Sequence, residues 1–160
     1  MLQFDTGETR AFWEKACLTI GLDVNTPHHA GTFAEPVSED RAAFIDALAV
    51  MARDGTKRGT AHMLLQFVTE EIRIREPGDC WIVTTTQGRP VCVVQITGVA
   101  ITPFEEVGEA FAASEGEGDL SVDHWRGAHI NYFKRQCARW NRLWHDRQPI
   151  VCESFELIYP

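Results

Sequence analysis

The residues best suited to chemistry lie in one short turn, residues 55–60 (GTKRGT). Its two adjacent cations, Lys57 and Arg58, are flanked by glycines that let a ligand approach the backbone. We predict that they precede a short helix whose N-cap is Thr60, so that free backbone N–H groups and the helix dipole add to the attraction for an anion. Two structural explanations compete: Gly55 as a helix C-cap, and Lys57 as an ordinary solvated lysine.

A second candidate is the loop of residues 115–119 (EGEGD), where carboxylates alternate with glycines. Crowded carboxylates repel one another, so such a cluster often serves a divalent cation, a cationic partner or proton transfer. Glu115 and Glu117 are therefore candidate acid–base residues, and Glu117 and Asp119 are candidate metal ligands. The competing explanation is a solvated loop in which Asp119 favours the N-terminus of the helix that follows.

Trp125 and His129 stand one turn apart in the longest predicted helix. Trp125 offers a surface on which a nucleobase can stack, and His129 offers a donor or a general base. A buried histidine with a structural partner is the competing explanation.

Composition and charge limit the classes of protein to which this chain could belong. The chain has 160 residues, of which 44% are hydrophobic and 24% charged, as in one globular domain with a single core. The net charge of -8 argues against a non-specific binder of duplex DNA, but residues 53–100 and 134–160 are mildly basic, which leaves room for a local anion site. The five cysteines are scattered, which predicts buried reduced thiols. Without a long apolar segment or a signal peptide, we expect a cytoplasmic protein that does not associate with membranes.

The periodicity of apolar residues predicts the helices and strands on which these candidate residues lie. A loop over residues 22–37 separates the first two predicted helices, and Ser38 is the expected N-cap of the second. Several strands are apolar on both faces, which favours a closed or well-covered sheet. The expected elements are helices over residues 9–20, 39–54, 61–72, 103–114 and 122–145, and strands over residues 80–101 and 150–159.

Taken in order, several motifs resemble those of ASCH-domain proteins, members of the PUA-like superfamily. The resemblance covers residues 53–160 closely, and the two leading helices are similar to those of a longer bacterial subgroup. It implies an α+β fold in one domain, with a small β-barrel core over residues 53–160, helices packed around it, and a helical part over residues 1–52. The matched positions are Gly55-x-Lys57-x-x-Thr60, Pro77-Gly78-Asp79, Pro103-Phe104, residues 115–119, Trp125-Arg126-x-x-His129 and Val151-Cys152-Glu153-x-Phe155.

The resemblance also implies RNA or a modified nucleoside as the ligand. Some members of the family resemble metal-assisted ribonucleases that act on single strands, which implies a divalent cation, Mn²⁺ or Mg²⁺, at the site. Small relatives hydrolyse N4-acetylcytidine with a lysine, a threonine and a glutamate. These correspond here to Lys57, Thr60 and either Glu115 or Glu117. Where the family motif often carries an arginine, this chain has His62.

Three functions therefore compete. One is hydrolysis of single-stranded RNA, in which Lys57 and Arg58 stabilise charge on the phosphate and the carboxylates of residues 115–119 act as base or hold the cation. The second is amide hydrolysis of an acetylated nucleoside, with Thr60 as nucleophile. The third is a non-catalytic module that binds RNA or a nucleotide. The expected ligand-binding residues are Gly55, Arg58, Trp125, Arg126 and His129.

Overall fold

A computed structural model describes all 160 residues and shows an α+β protein. The elements are α1 Gly7–Ile20, β1 His28–Gly31, α2 Glu39–Arg53, β2 Gly59–Met63, α3 Leu64–Thr69, β3 Cys80–Thr84, β4 Pro90–Pro103, a 3-10 turn Phe104–Glu106, α4 Glu109–Ser114, α5 Val122–Arg139 and β5 Pro149–Tyr159. The strands are hydrogen-bonded in the order β1-β3-β4-β5-β2, with β1 and β2 as the outer strands. The expected closed barrel is therefore wrong, because β1 and β2 do not pair with each other and the sheet is open.

The chain divides into two compact units, each built from several segments. The first comprises residues 1–58, 75–98 and 155–160, and the second comprises residues 59–74 and 99–154. None of the helices combines the length and the apolar character that a membrane crossing requires.

The first unit contains the two leading helices, as predicted. A capping box between Thr6 and Thr9 starts α1, and Gly21 ends it in the left-handed conformation with a φ of 73°. Ser38 caps α2, as expected from its type and from the acidic residues that follow. The loop predicted over residues 22–37 is partly wrong, because residues 28–31 form strand β1, which pairs in parallel with β3. Four residues are too few to show strand periodicity in the sequence.

The second unit contains the largest departure from the sequence prediction. Residues 59–63 form a strand, β2, where a helix capped by Thr60 was expected. The strand pairs antiparallel with β5, from Gly59 opposite Ser154 to Met63 opposite Ile150. This pairing satisfies the backbone through a distant segment, which local periodicity does not reveal. The helix that follows, α3, begins only at Leu64.

Two other helical predictions need adjustment. The stretch over residues 103–114 is divided into a 3-10 turn and α4, with Gly108 as the N-cap of α4. Helix α5 begins after Ser121, as predicted, but ends at Arg139 rather than at residue 145. Asn141 adopts a left-handed φ of 53°, and the N–H of Arg142 bonds back to the carbonyl of Cys137, which closes the helix.

Candidate functional site

Glu115, the residue at which α4 ends, is a buried ionisable group of the second unit. Its side chain is only 2% exposed, although a carboxylate is costly to remove from water. The indole Nε1 of Trp125 donates a 2.7 Å hydrogen bond to Glu115 Oε1. His129 Nε2 lies 3.6 Å from the same oxygen. The carboxylate is therefore held from one side by two residues of α5.

Helix α5 positions both of these partners. Because Ser121 fixes its start, Trp125 and His129 fall one turn apart on the same face. Their rings stack at 4.3 Å with an interplanar angle of 22°. Phe104 stacks against Trp125 at a centroid distance of 5.4 Å. Trp125 is buried between these rings, so it acts here as a hydrogen-bond donor in the core rather than as an open platform for a base.

Hydrogen bonding constrains the protonation of His129. Its Nδ1 lies 2.9 Å from the carbonyl oxygen of Trp125, which can only accept, so Nδ1 carries a proton. The other ring nitrogen, Nε2, is the one that faces Glu115, 3.6 Å from its Oε1. A buried carboxylate beside an imidazole is a combination of residue types found at acid–base centres.

Glu115 also lies against the strands of its unit. A Cβ added at Gly59 would meet Glu115 Cγ at 3.6 Å and Ser114 Oγ at 2.5 Å, so glycine leaves room for the end of α4. Burial, with smaller contributions from the negative charges of Glu115 and Glu153, raises the pKa of the Cys152 thiol to about 12. The thiol is thus a protonated, unreactive neighbour at neutral pH.

The other two carboxylates of residues 115–119 differ from Glu115. Glu117 is half-buried and Asp119 is exposed. Hydrogen bonds from the side chain and backbone of Ser121 hold the pKa of Asp119 below its usual value. This bonding anchors the turn before α5. No group of three or more His, Cys, Asp or Glu side chains is placed to hold a metal ion, so the metal role of Glu117 and Asp119 remains a prediction.

Arg126 faces a different part of the second unit. Its Nη2 donates to the carbonyls of Glu105 and Val107, and its buried Nε has no hydrogen-bond partner. The guanidinium therefore ties α5 to the segment before α4. It borders a groove of about 380 Å³ lined by Phe104, Glu105, Arg126, Gly127, Ile130 and Asp146.

Residues 55–58 of the basic turn belong to the first unit. Gly55 has a left-handed φ of 74° and bonds back to Ala52, which confirms its role at the end of α2. Lys57 is 1% exposed, and its ammonium lies 5.2 Å from the ring centroid of Phe33. The solvated-lysine explanation is therefore wrong. Arg58 is exposed and precedes a strand, so no helix dipole adds to its charge.

Thr60 is buried in β2, directly opposite Glu153 of β5. His62, two residues further along β2, places Nε2 3.9 Å from Glu153 Oε2. Neither His62 nor Glu153 was among the site residues predicted from the sequence. One signal was present: Glu153 interrupts an otherwise apolar strand, between Val151-Cys152 and Phe155, where an unpaired carboxylate would be unfavourable.

This chain is similar to known proteins in both sequence and fold. The family model described as the ASCH domain matches residues 37–159. A crystal structure of an ASCH domain from Lactobacillus crispatus JV V101 is 26% identical, with a TM-score of 0.86 over 97% of this chain and 96% of the other. A crystal structure of a protein from Enterococcus faecalis V583 is 25% identical, with a TM-score of 0.82 over 95% and 88% of the two chains. No curated protein matches this sequence.

Proposed function

The chain belongs to the ASCH-domain family, and on that premise we propose that it is an RNA-directed hydrolase acting on single-stranded RNA or on a modified nucleoside. The PUA-like fold, shared with the Lactobacillus crispatus ASCH domain, supports the choice of RNA as the ligand class. The observation that carries the proposal of hydrolysis is the buried carboxylate of Glu115 with its two partners on α5.

The presence of a glutamate at position 115 is better explained by a catalytic role than by a contribution to the stability of the fold. An apolar side chain at the end of α4, packed against a phenylalanine at position 125, would fill the same space without the desolvation of a carboxylate. The glutamate instead faces His129, whose Nε2 lies 3.6 Å from Glu115 Oε1. Buried ionisable groups with such a partner are concentrated at functional sites.

In the first version of this function, the substrate is single-stranded RNA. Glu115, beside His129, removes a proton from the oxygen that attacks phosphorus, and the bond from phosphorus to the leaving oxygen breaks as that oxygen takes up a proton from water. Arg58, which is exposed, contacts a phosphate. Lys57 is assigned to charge stabilisation on the sequence motif, and a divalent cation, if required, is assigned to Glu117 and Asp119.

A second version, amide hydrolysis of N4-acetylcytidine, is favoured by the position of Thr60. Thr60 lies within β2, so its hydroxyl does not provide the helix cap that was predicted from the sequence. Thr60 Oγ attacks the acetyl carbonyl, and the bond between the acetyl carbon and N4 breaks as N4 takes a proton. Water then hydrolyses the acetyl–threonine ester, which releases acetate and restores the hydroxyl. Lys57 acts as the base in this version, as the motif implies.

The test compares the purified wild-type protein with Lys57→Ala and Glu115→Gln on both substrates. Single-stranded RNA is incubated with and without Mn²⁺, and N4-acetylcytidine is followed by chromatography of released cytidine. Turnover by the wild type that is lost in both variants supports the proposal. Equal cleavage by all three proteins indicates a contaminant. Tight binding of RNA without any turnover identifies a non-catalytic module and rejects hydrolysis.

A further inference from the structure

Charge is distributed very unevenly along residues 105–145 of the second unit. Residues 105–123 carry seven acidic side chains and no lysine or arginine, whereas residues 124–145 carry five lysines and arginines and no acidic side chain. The second run holds a third of the 15 basic residues of a chain whose net charge is -8. Most of this run forms helix α5, so the structure concentrates positive charge on one element.

Four of these five cations gather at the C-terminal end of α5, and all four are exposed to solvent. We call them the α5 basic surface: Lys134, Arg135, Arg139 and Arg142. Arg135 and Arg139 lie one helical turn apart on the same face. Arg142 follows Asn141, which is left-handed, and its N–H bonds back to the carbonyl of Cys137. The chain therefore keeps Arg142 beside the last turn of the helix.

The helix itself does not explain these charges. None of the residues three or four positions from Arg135 is acidic: Asn131, Tyr132, Ala138 and Arg139. The helix dipole favours a cation only within the last turn, and that turn begins after Arg135. Like charges one turn apart, as in Arg135 and Arg139, slightly destabilise a helix. An anionic partner is therefore the better explanation for this surface.

Side chains next to these cations indicate which anionic partner fits. Trp140, at the end of α5, is half-buried, and Leu143 is 90% exposed. Proteins that bind single strands combine a row of cations, which follows the phosphates, with aromatic rings on which bases stack. A membrane fits less well, because an interfacial helix needs a broad exposed apolar face, and the apolar face of α5 is buried in the core with Phe133 and Cys137.

We propose that the α5 basic surface binds the phosphate backbone of single-stranded RNA. Helix α5 then serves the ligand twice, since Trp125 and His129 near its start contact Glu115. Arg135 lies ten residues after Trp125, which is about 15 Å along the helix axis. The surface therefore contacts nucleotides beyond the one that reacts. This inference rests on RNA as the ligand of the proposed function, but it does not require that the RNA is cleaved.

Fluorescence anisotropy tests the surface with a labelled single-stranded RNA of about 16 nucleotides over a series of salt concentrations. In the double variant Arg135→Ala/Arg142→Ala, the loss of two phosphate contacts should weaken binding about tenfold at low salt and reduce the slope of log K against log salt by about 1.4. Arg10→Ala/Lys15→Ala is the matched control, because it removes two exposed cations from α1 and changes the net charge equally. Its slope should equal that of the wild type.

A second double variant separates charge from structure. Arg135→Lys/Arg142→Lys keeps both charges and should keep most of the wild-type slope, because counterion release depends on charge. Circular dichroism melts confirm that each variant is folded. A folded lysine variant that loses as much slope as the alanine variant overturns the inference.

The remaining outcomes distinguish this inference from the proposed function. An alanine variant with the wild-type slope overturns the surface and leaves hydrolysis, which is measured separately by turnover, standing. Weakened RNA binding by the alanine variant, in a protein that shows no turnover, supports the surface and rejects only hydrolysis. A wild type that does not bind the RNA overturns the inference. So does binding to vesicles of phosphatidylcholine and phosphatidylserine, if the alanine variant loses that binding and keeps its affinity for RNA.

Discussion

The indole Nε1 of Trp125 donates a 2.7 Å hydrogen bond to Glu115 Oε1, and both residues are buried. The bond joins the end of α4 to the first turn of α5. The sequence predicted that Trp125 would stack a base, whereas in the structure its indole N–H orients the carboxylate of Glu115. The acid–base centre thus depends on core packing as well as on charge.

This bond predicts a specific loss of stability in Trp125→Phe. The phenylalanine retains most of the ring packing but leaves a buried carboxylate without its donor, which should lower the free energy of unfolding by about 1–3 kcal/mol. Trp144→Phe is the matched control, because the indole of Trp144 donates to the exposed Asp146, and it should cost less than about 1 kcal/mol. Urea denaturation measures both, and equal losses would contradict the assigned importance of the bond.

Gly59 gives a second stability prediction. A methyl group there would lie 2.5 Å from Ser114 Oγ and 3.4 Å from the ring of Phe111, so Gly59→Ala must displace the end of α4 and lower the free energy of unfolding by about 1–3 kcal/mol. Gly127→Ala is the control, because a Cβ there meets nothing within 4 Å and helix α5 should gain up to about 1 kcal/mol. Thermal melts that show Gly59→Ala to be as stable as the wild type would refute the close packing described.

The prediction from sequence succeeded where structure is locally encoded. Ser38 and Ser121 cap helices, and Gly55 ends one, because short polar side chains and glycine act on their own neighbouring backbone. Strand β2 was missed because β5, far along the chain, supplies its hydrogen bonds. The burial of Lys57 was missed for the same reason, since nothing in a basic turn shows what will pack over it.

Because several thiols are buried, we predict that the free energy of unfolding decreases in alkali. Burial raises the pKa of Cys92 and of Cys152 to about 12 from the ordinary thiol value of 9.0. Above about pH 9 the unfolded chain releases these protons while the folded chain keeps them, so the free energy of unfolding falls by up to about 1.4 kcal/mol per pH unit for each thiol. Below pH 9 both states are protonated and the thiols contribute no slope.

Urea denaturation at about pH 8 and about pH 10 measures this slope. The Cys92→Ala variant provides the comparison, since other groups also titrate in alkali and only the share of Cys92 should disappear. A variant slope equal to that of the wild type would contradict the predicted contribution.

The proposed contact of Arg58 with a phosphate leads to a prediction for the salt dependence of RNA binding. Because Arg58 is exposed and proposed to contact a phosphate, Arg58→Ala should weaken binding of single-stranded RNA and reduce the slope of log K against log salt by about 0.7. Arg10→Ala is the control, as Arg10 is an exposed arginine of α1. Fluorescence anisotropy over a series of salt concentrations gives both slopes, and an unchanged slope in Arg58→Ala would remove the phosphate contact.

The central claim is that Glu115 is the acid–base residue of a hydrolase, and its most direct test is the turnover of Glu115→Gln beside Glu109→Gln. Glutamine at position 115 still accepts the hydrogen bond of Trp125 but cannot transfer a proton, so we expect kcat to fall by about 100-fold or more. Glu109 is an exposed glutamate in the first turn of α4, so Glu109→Gln should retain wild-type activity. A Glu115→Gln protein as active as the wild type, or one no more impaired than Glu109→Gln, would contradict the assignment.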